Sequence, residues 1–235
     1  MATKDVSNVP RWSSGTKDPF NKTPTKAQEL WNAQNRKTIT AARIKKELGT
    51  KLKTPSVTRW NSLYDSIKDL FKNLDGRRTQ INNICVEQKP CLLVFKKSDK
   101  EVIAEYIEIM APIAVRLDML QEEKNAYAGV LLPNFLLLKD KIGEMAREVE
   151  KFNYAKNLVN YLLKQPKANK GKEKSFEPRF SSIFDDFDLL MATALHPYFK
   201  LGVVRRLNEG KYQAAKTKIL EEIKCKIASN LTPPH

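Results

Sequence analysis

The chain has 235 residues, with 42 Lys or Arg against 27 Asp or Glu, and a formal net charge of +15. That length suits one large domain or two small ones, and 41% hydrophobic content is enough for a buried core. Eight glycines exclude a glycine-rich phosphate loop, two histidines exclude a zinc finger, and an odd count of three cysteines points to reduced thiols inside a cell.

The first residues, Met1-Ala-Thr-Lys-Asp-Val, contain no apolar stretch fit for a secretory signal. The most apolar window, Val130 to Leu138, is interrupted by Pro133 and Asn134, well short of a membrane span. The expectation is a soluble protein with no membrane partner. Its excess charge is uneven. Residues 1–60 carry 13 basic and 4 acidic side chains, residues 61–163 carry 15 of each, and residues 164–180 carry 6 and 2. Residues 181–199 hold 3 acids and no base, and residues 200–235 hold 8 bases and 3 acids. A neutral middle is thus flanked by basic ends and a basic linker, a distribution that suits a polyanion partner.

In chain order, residues 1–25 are polar, contain Pro10, Pro19 and Pro24, and read as a disordered basic arm. From Lys26 a helical period appears in Ala27, Leu30 and Trp31, then in Ile39, Ala42 and Leu48, with Gly49 as its cap. Trp60, Leu63, Tyr64, Ile67, Leu70, Phe71 and Leu74 predict one apolar helix face, ended by Asp75-Gly76. Ile81 and Ile84 look helical, whereas Cys91 to Phe95 fits either a short strand or a helix end.

Asp99 is expected to cap a long helix with the face Ile103, Tyr106, Ile107, Met110, Ile113, Leu117 and Leu120, kinked at Pro112. Leu131, Phe135, Leu138, Ile142 and Met145 continue with helical spacing, as do Val149, Phe152, Val159 and Leu163. Residues 165–180 read as a flexible basic loop. Asp185, Asp186 and Asp188 stand where a helix start favours acids, and His196-Pro197 closes that helix. Ala215, Ile219, Ile223 and Ile227 mark a last amphipathic helix. The fold class expected is all-α, with seven or eight helices in residues 26–164 and 181–230.

Few residues suggest chemistry. The three aspartates lack a further ligand nearby, so a charged helix start is the favoured reading over a metal site. His196 has no nucleophile motif around it, and Cys85 and Cys91 match no zinc spacing. Nucleotide-binding and hydrolase signatures are missing, so no enzyme and no cofactor are expected. Arg59-Trp60 follows a segment bearing Lys45, Lys46, Lys51 and Lys53. A cation beside an indole suits a phosphate and an unpaired base; alternatively Trp60 is only the first apolar residue of its helix face.

Thr58-Arg-Trp-Asn-Ser-Leu-Tyr-Asp65 resembles the TRWNS-x-YD signature of hAT-superfamily DNA transposases. Pro112 to Glu122 with Leu131-Leu-Pro133 resembles that family's central helical region, and Ala192 to Leu201 resembles its AT-x-LHP-x-FKL motif; Leu30-Trp31-Asn32 also fits. The resemblance implies the helical insertion of a ribonuclease-H-like fold. The family's catalytic aspartates, glutamate, BED zinc finger and dimerisation signature have no match here. By resemblance, Arg59 and Trp60 sit where the family contacts DNA ends, the tryptophan stacking near a flipped base. The reading is a non-catalytic, transposase-derived, nuclear DNA-associated protein binding through Arg59, Trp60, Lys45, Lys46, Lys51 and Lys53. Its alternative is a protein-interaction module or transposon remnant without a nucleic-acid role.

Overall fold

A computed structural model describes residues 19–59, 61–122, 127–163 and 181–231. Every regular element among them is helical: nine α-helices and two short 3-10 helices. The α-helices are α1 (Pro19–Arg36), α2 (Thr38–Leu48), α3 (Ser62–Glu87), α4 (Lys97–Gln121), α5 (Ala128–Arg147), α6 (Lys156–Leu163), α7 (Phe187–Leu195), α8 (Lys200–Leu207) and α9 (Glu209–Leu231). The all-α class is as the periodicities indicate, and α8 is additional to the helices expected from them. The chain divides into two compact units, one of Met1–Leu117 with Val149–Val159, the other of Asp118–Glu148 with Asn160–His235.

The core of the first unit joins Leu30 and Trp31 of α1, Ile44 and Leu48 of α2, Leu70, Ile81 and Ile84 of α3, Ile103 of α4, and the loop residues Leu52 and Phe95. Each such fully buried aliphatic side chain contributes roughly 1.5–3 kcal/mol. Two sequence expectations need correction here. Residues 19–25 are helical rather than part of a disordered arm. Pro19 suits a first helical position, where its missing N–H leaves no bond unmade, and Thr23 is fixed by a distant partner, Asp99. Residues 1–18 of that arm lie outside the described residues.

The buried face of α2 is Thr40, Ala41, Ile44 and Leu48, not Ile39 and Ala42. Lys37 adopts an extended conformation and separates α1 from α2, which resets the helical phase and leaves Ile39 84% exposed. The stop at Gly49 holds: it takes a left-handed φ of 77° that a side chain would oppose. In α3, non-helical angles at Asp75–Arg77 with Gly76 at φ 94° break the helix where Asp75-Gly76 predicts its end, and a second stretch resumes to Glu87.

Asp99 is not the cap residue of α4 but its third residue, and it is 1% exposed. Its carboxylate accepts from the Lys96 N–H at 2.6 Å, from Thr23 Oγ1 at 2.5 Å and from Lys26 Nζ at 2.6 Å. One buried charge therefore satisfies a helix-start amide and ties α1 to α4. A second carboxylate of α4, Glu105, accepts the backbone N–H groups of Asn153, Tyr154 and Ala155 at 2.8–2.9 Å, just ahead of α6. The turn that leads into that helix is thus held from another helix.

In the second unit, Leu132 of α5, Leu190 and Ala194 of α7, Val204 of α8 and Ala215 of α9 form the core. A Cβ at Gly129 would stand 2.6 Å from the Ala192 carbonyl, so α5 and α7 approach as closely as a bare backbone allows. Asp186 caps α7 by accepting from the Asp188 and Leu189 N–H groups, and His196 ends it in an extended conformation, as read from the sequence. Asp185 accepts from the Asn208 side chain at 2.9 Å. On α9 Ala215 is buried, whereas Ile223 and Ile227 of the expected apolar face are exposed.

Candidate nucleic-acid interface

The sequence-predicted cations lie on α2 and the irregular segment that follows it. Lys45 and Lys46 occupy the last turn of α2, where positive charge complements the helix dipole. That gives both residues a structural reason to be lysine, and both are exposed. After Gly49 the chain is held by Leu52, which is buried, with its N–H and C=O both bonded to the Gln34 side-chain amide at 2.9 Å. Lys51 and Lys53 flank this anchor on either side, and both are exposed. The Lys53 N–H donates to Asp69 Oδ2 at 2.9 Å, which fixes the segment against α3. Among the described residues, the ammonium groups of Lys45, Lys46, Lys51 and Lys53 have no ion-pair or hydrogen-bond partner. Other cations nearby are engaged: Lys37 donates to Gln88 and to the Lys89 carbonyl, and Arg43 pairs with Glu47 and Glu87 at 3.4 Å.

Arg59 is held differently. Its side chain is 66% exposed, and its guanidinium pairs with Asp65 at 2.9 Å. Trp60 lies outside the described residues, as does the 165–180 segment. The motif residues beyond Arg59 have roles that sequence reading does not assign. Asn61 is buried and donates to the Ala114 carbonyl of α4 at 2.8 Å. The Ser62 hydroxyl bridges the Ser56 and Arg59 carbonyls at 2.6 and 2.8 Å, and the Ser62 N–H donates to the Arg59 carbonyl. Arg59-x-Asn61-Ser62-x-x-Asp65 is thus a clasp that fixes the backbone at Arg59, docks the start of α3 on α4 and holds the guanidinium by a carboxylate one turn on. Sequence spacing gives no signal for it, because the carbonyl partners of Asn61 and Ser62 are set only by the fold.

Burial pushes the Cys85 thiol up to about 12, with Cys91 adding to the effect, so Cys85 stays protonated at neutral pH. Among the described residues, no three His, Cys, Asp or Glu side chains gather closely enough to hold a metal ion. No described helix is long and apolar enough to cross a membrane. Comparison with protein-family models, curated proteins and solved structures finds no match for this chain.

Proposed function

We propose that the chain is a non-catalytic, DNA-associated helical protein of hAT-transposase descent, acting in the nucleus. The observation that carries this reading is the set of four exposed lysines, 45, 46, 51 and 53, whose charge is neutralised by no carboxylate among the described residues. Phosphates supply the counter-charge that the protein withholds, and release of condensed cations from DNA drives the association. Arg59, 66% exposed, joins them by exchanging the half-buried Asp65 for a phosphate oxygen. Trp60 supplies a surface for an unpaired base. The ordered motif resemblance supports DNA as the polyanion.

Binding of a DNA hairpin with an unpaired base should weaken steeply with salt. Reversing Lys45, Lys46, Lys51 and Lys53 to Glu should remove about three to four units from the slope of log K against log salt concentration. Trp60→Ala should cost about 1–3 kcal/mol on the hairpin and much less on an unbroken duplex. Undetectable binding at low salt, or a slope untouched by the four reversals, refutes the reading.

A further inference from the structure

The chain between α3 and α4, read as a strand or a helix end, is neither. It is pinned on both sides. The Leu92 N–H donates to the Cys85 carbonyl at 3.0 Å. The Asn82 side chain takes both backbone groups of Phe95: Oδ1 accepts its N–H at 2.8 Å and Nδ2 donates to its carbonyl at 2.9 Å. Phe95 is buried in the core. Between these anchors, Leu93 and Val94 make no hydrogen bond through either N–H or C=O among the described residues. Their side chains are 53% and 37% exposed.

In an extended segment neighbouring residues turn their backbone groups to opposite sides, so with both groups of Phe95 turned to Asn82 those of Val94 face the other way, as at the edge of a sheet. Leu93 and Val94 also line a cleft of about 300 Å³, shared with Lys22, Thr25 and Lys26 of α1 and with Lys96. The Lys26 ammonium is neutralised by Asp99. Lys22 and Lys96 are exposed and have no carboxylate partner among the described residues, so the cleft has an apolar wall and a positive rim. Among the described residues no aromatic side chain lines it, and its charged rim suits a carboxylate.

We propose that Leu93, Val94 and this cleft form a docking site for an extended peptide of a partner protein, one carrying apolar side chains beside acidic ones. The peptide adds itself as a strand along Leu93-Val94, seats an aliphatic side chain in the cleft and sets a carboxylate near Lys22 and Lys96. Main-chain hydrogen bonds give affinity, the cleft reads side-chain shape, and the lysines select charge. This site is separate from the DNA reading and stands or falls without it.

The test uses the full chain, isotope-labelled, with a terminally blocked Glu-Val-Leu-Val-Glu peptide as probe. Binding should slow hydrogen exchange at the Val94 amide, the one placed to donate to the added strand. Methylating the backbone nitrogens of the probe's central residues should weaken it about 3–10-fold per lost hydrogen bond. Lys22→Glu and Lys96→Glu should each weaken it about two- to fivefold. Leu93→Asp, at an exposed position, should abolish binding while core amides keep their protection. Unchanged exchange at Val94 up to millimolar peptide overturns the proposal. So does equal binding of a Lys-Val-Leu-Val-Lys probe, or slowing of that amide by a DNA hairpin in place of the peptide.

Discussion

Asp99→Ala should be among the most damaging single changes in the first unit. The carboxylate is 1% exposed and accepts from three donors, of which Lys26 Nζ is itself buried. Truncation removes the acceptor of the Lys96 amide and strands an ammonium in the core. Breaking a buried pair in this one-sided way costs about 3–5 kcal/mol, more than the orphaned amide at about 1–3 kcal/mol. Native-state hydrogen exchange at Leu30, Ile44 and Ile103 reads this unit alone, and their protection should fall by about two to four decades. Adding Lys26→Met to Asp99→Ala should recover at least about 1 kcal/mol, because the stranded charge is removed with its partner. If Asp99→Ala costs under about 1 kcal/mol, or the second change recovers nothing, the buried pair does not hold α1 to α4 and the reasoning fails.

Gly129→Ala should destabilise the second unit by about 1–3 kcal/mol in urea melts, since its methyl group would collide with the Ala192 carbonyl. Gly143→Ala on the same helix meets open space and should stabilise by about 0.5–1 kcal/mol; equal effects at the two sites would contradict the close approach of α5 and α7. Glu105→Ala removes the acceptor for three amides and should cost about 1–2 kcal/mol, with faster exchange at Asn153, Tyr154 and Ala155. For Cys85, the unfolded thiol ionises near 9 while the folded one holds its proton to about 12. Its contribution to stability is therefore complete below 9 and lost as pH rises to 12, and Cys85→Ala should flatten that part of the pH profile. At mildly alkaline pH, iodoacetamide should modify exposed Cys91 well before Cys85, and comparable rates would contradict the burial of that thiol.

Much of the helical framework was legible because long apolar periods leave little choice. The face of α3 through Ile67, Leu70 and Leu74, and the stops at Gly49 and Gly76, follow from spacing and from glycine's freedom at positive φ. The register of α2 was not legible. A one-residue extended break at Lys37 shifts the phase, and Thr40 and Ala41, rather than Ile39, turn inward. Nor could the helix at residues 19–25 be read, because Thr23 and Lys26 are fixed by a carboxylate more than seventy positions away. At the candidate interface, residue type alone pointed to Arg59 and the lysines. The positioning by Asn61, Ser62 and Asp65 depends on carbonyls and charges that come together only on folding.

Two side-chain amides, Gln34 and Asn82, each grip one loop residue by its N–H and C=O together, at Leu52 and Phe95. A carboxamide can do this because it carries one donor and one acceptor side by side. Deamidation exchanges a single –NH₂ for oxygen with almost no change in shape. At Asn82 it would set two acceptors against each other at the Phe95 carbonyl and leave that carbonyl unpaired beside the core. Chemical ageing at one side chain, with no substitution in the gene, would therefore loosen the loop between α3 and α4 before it disturbed any helix.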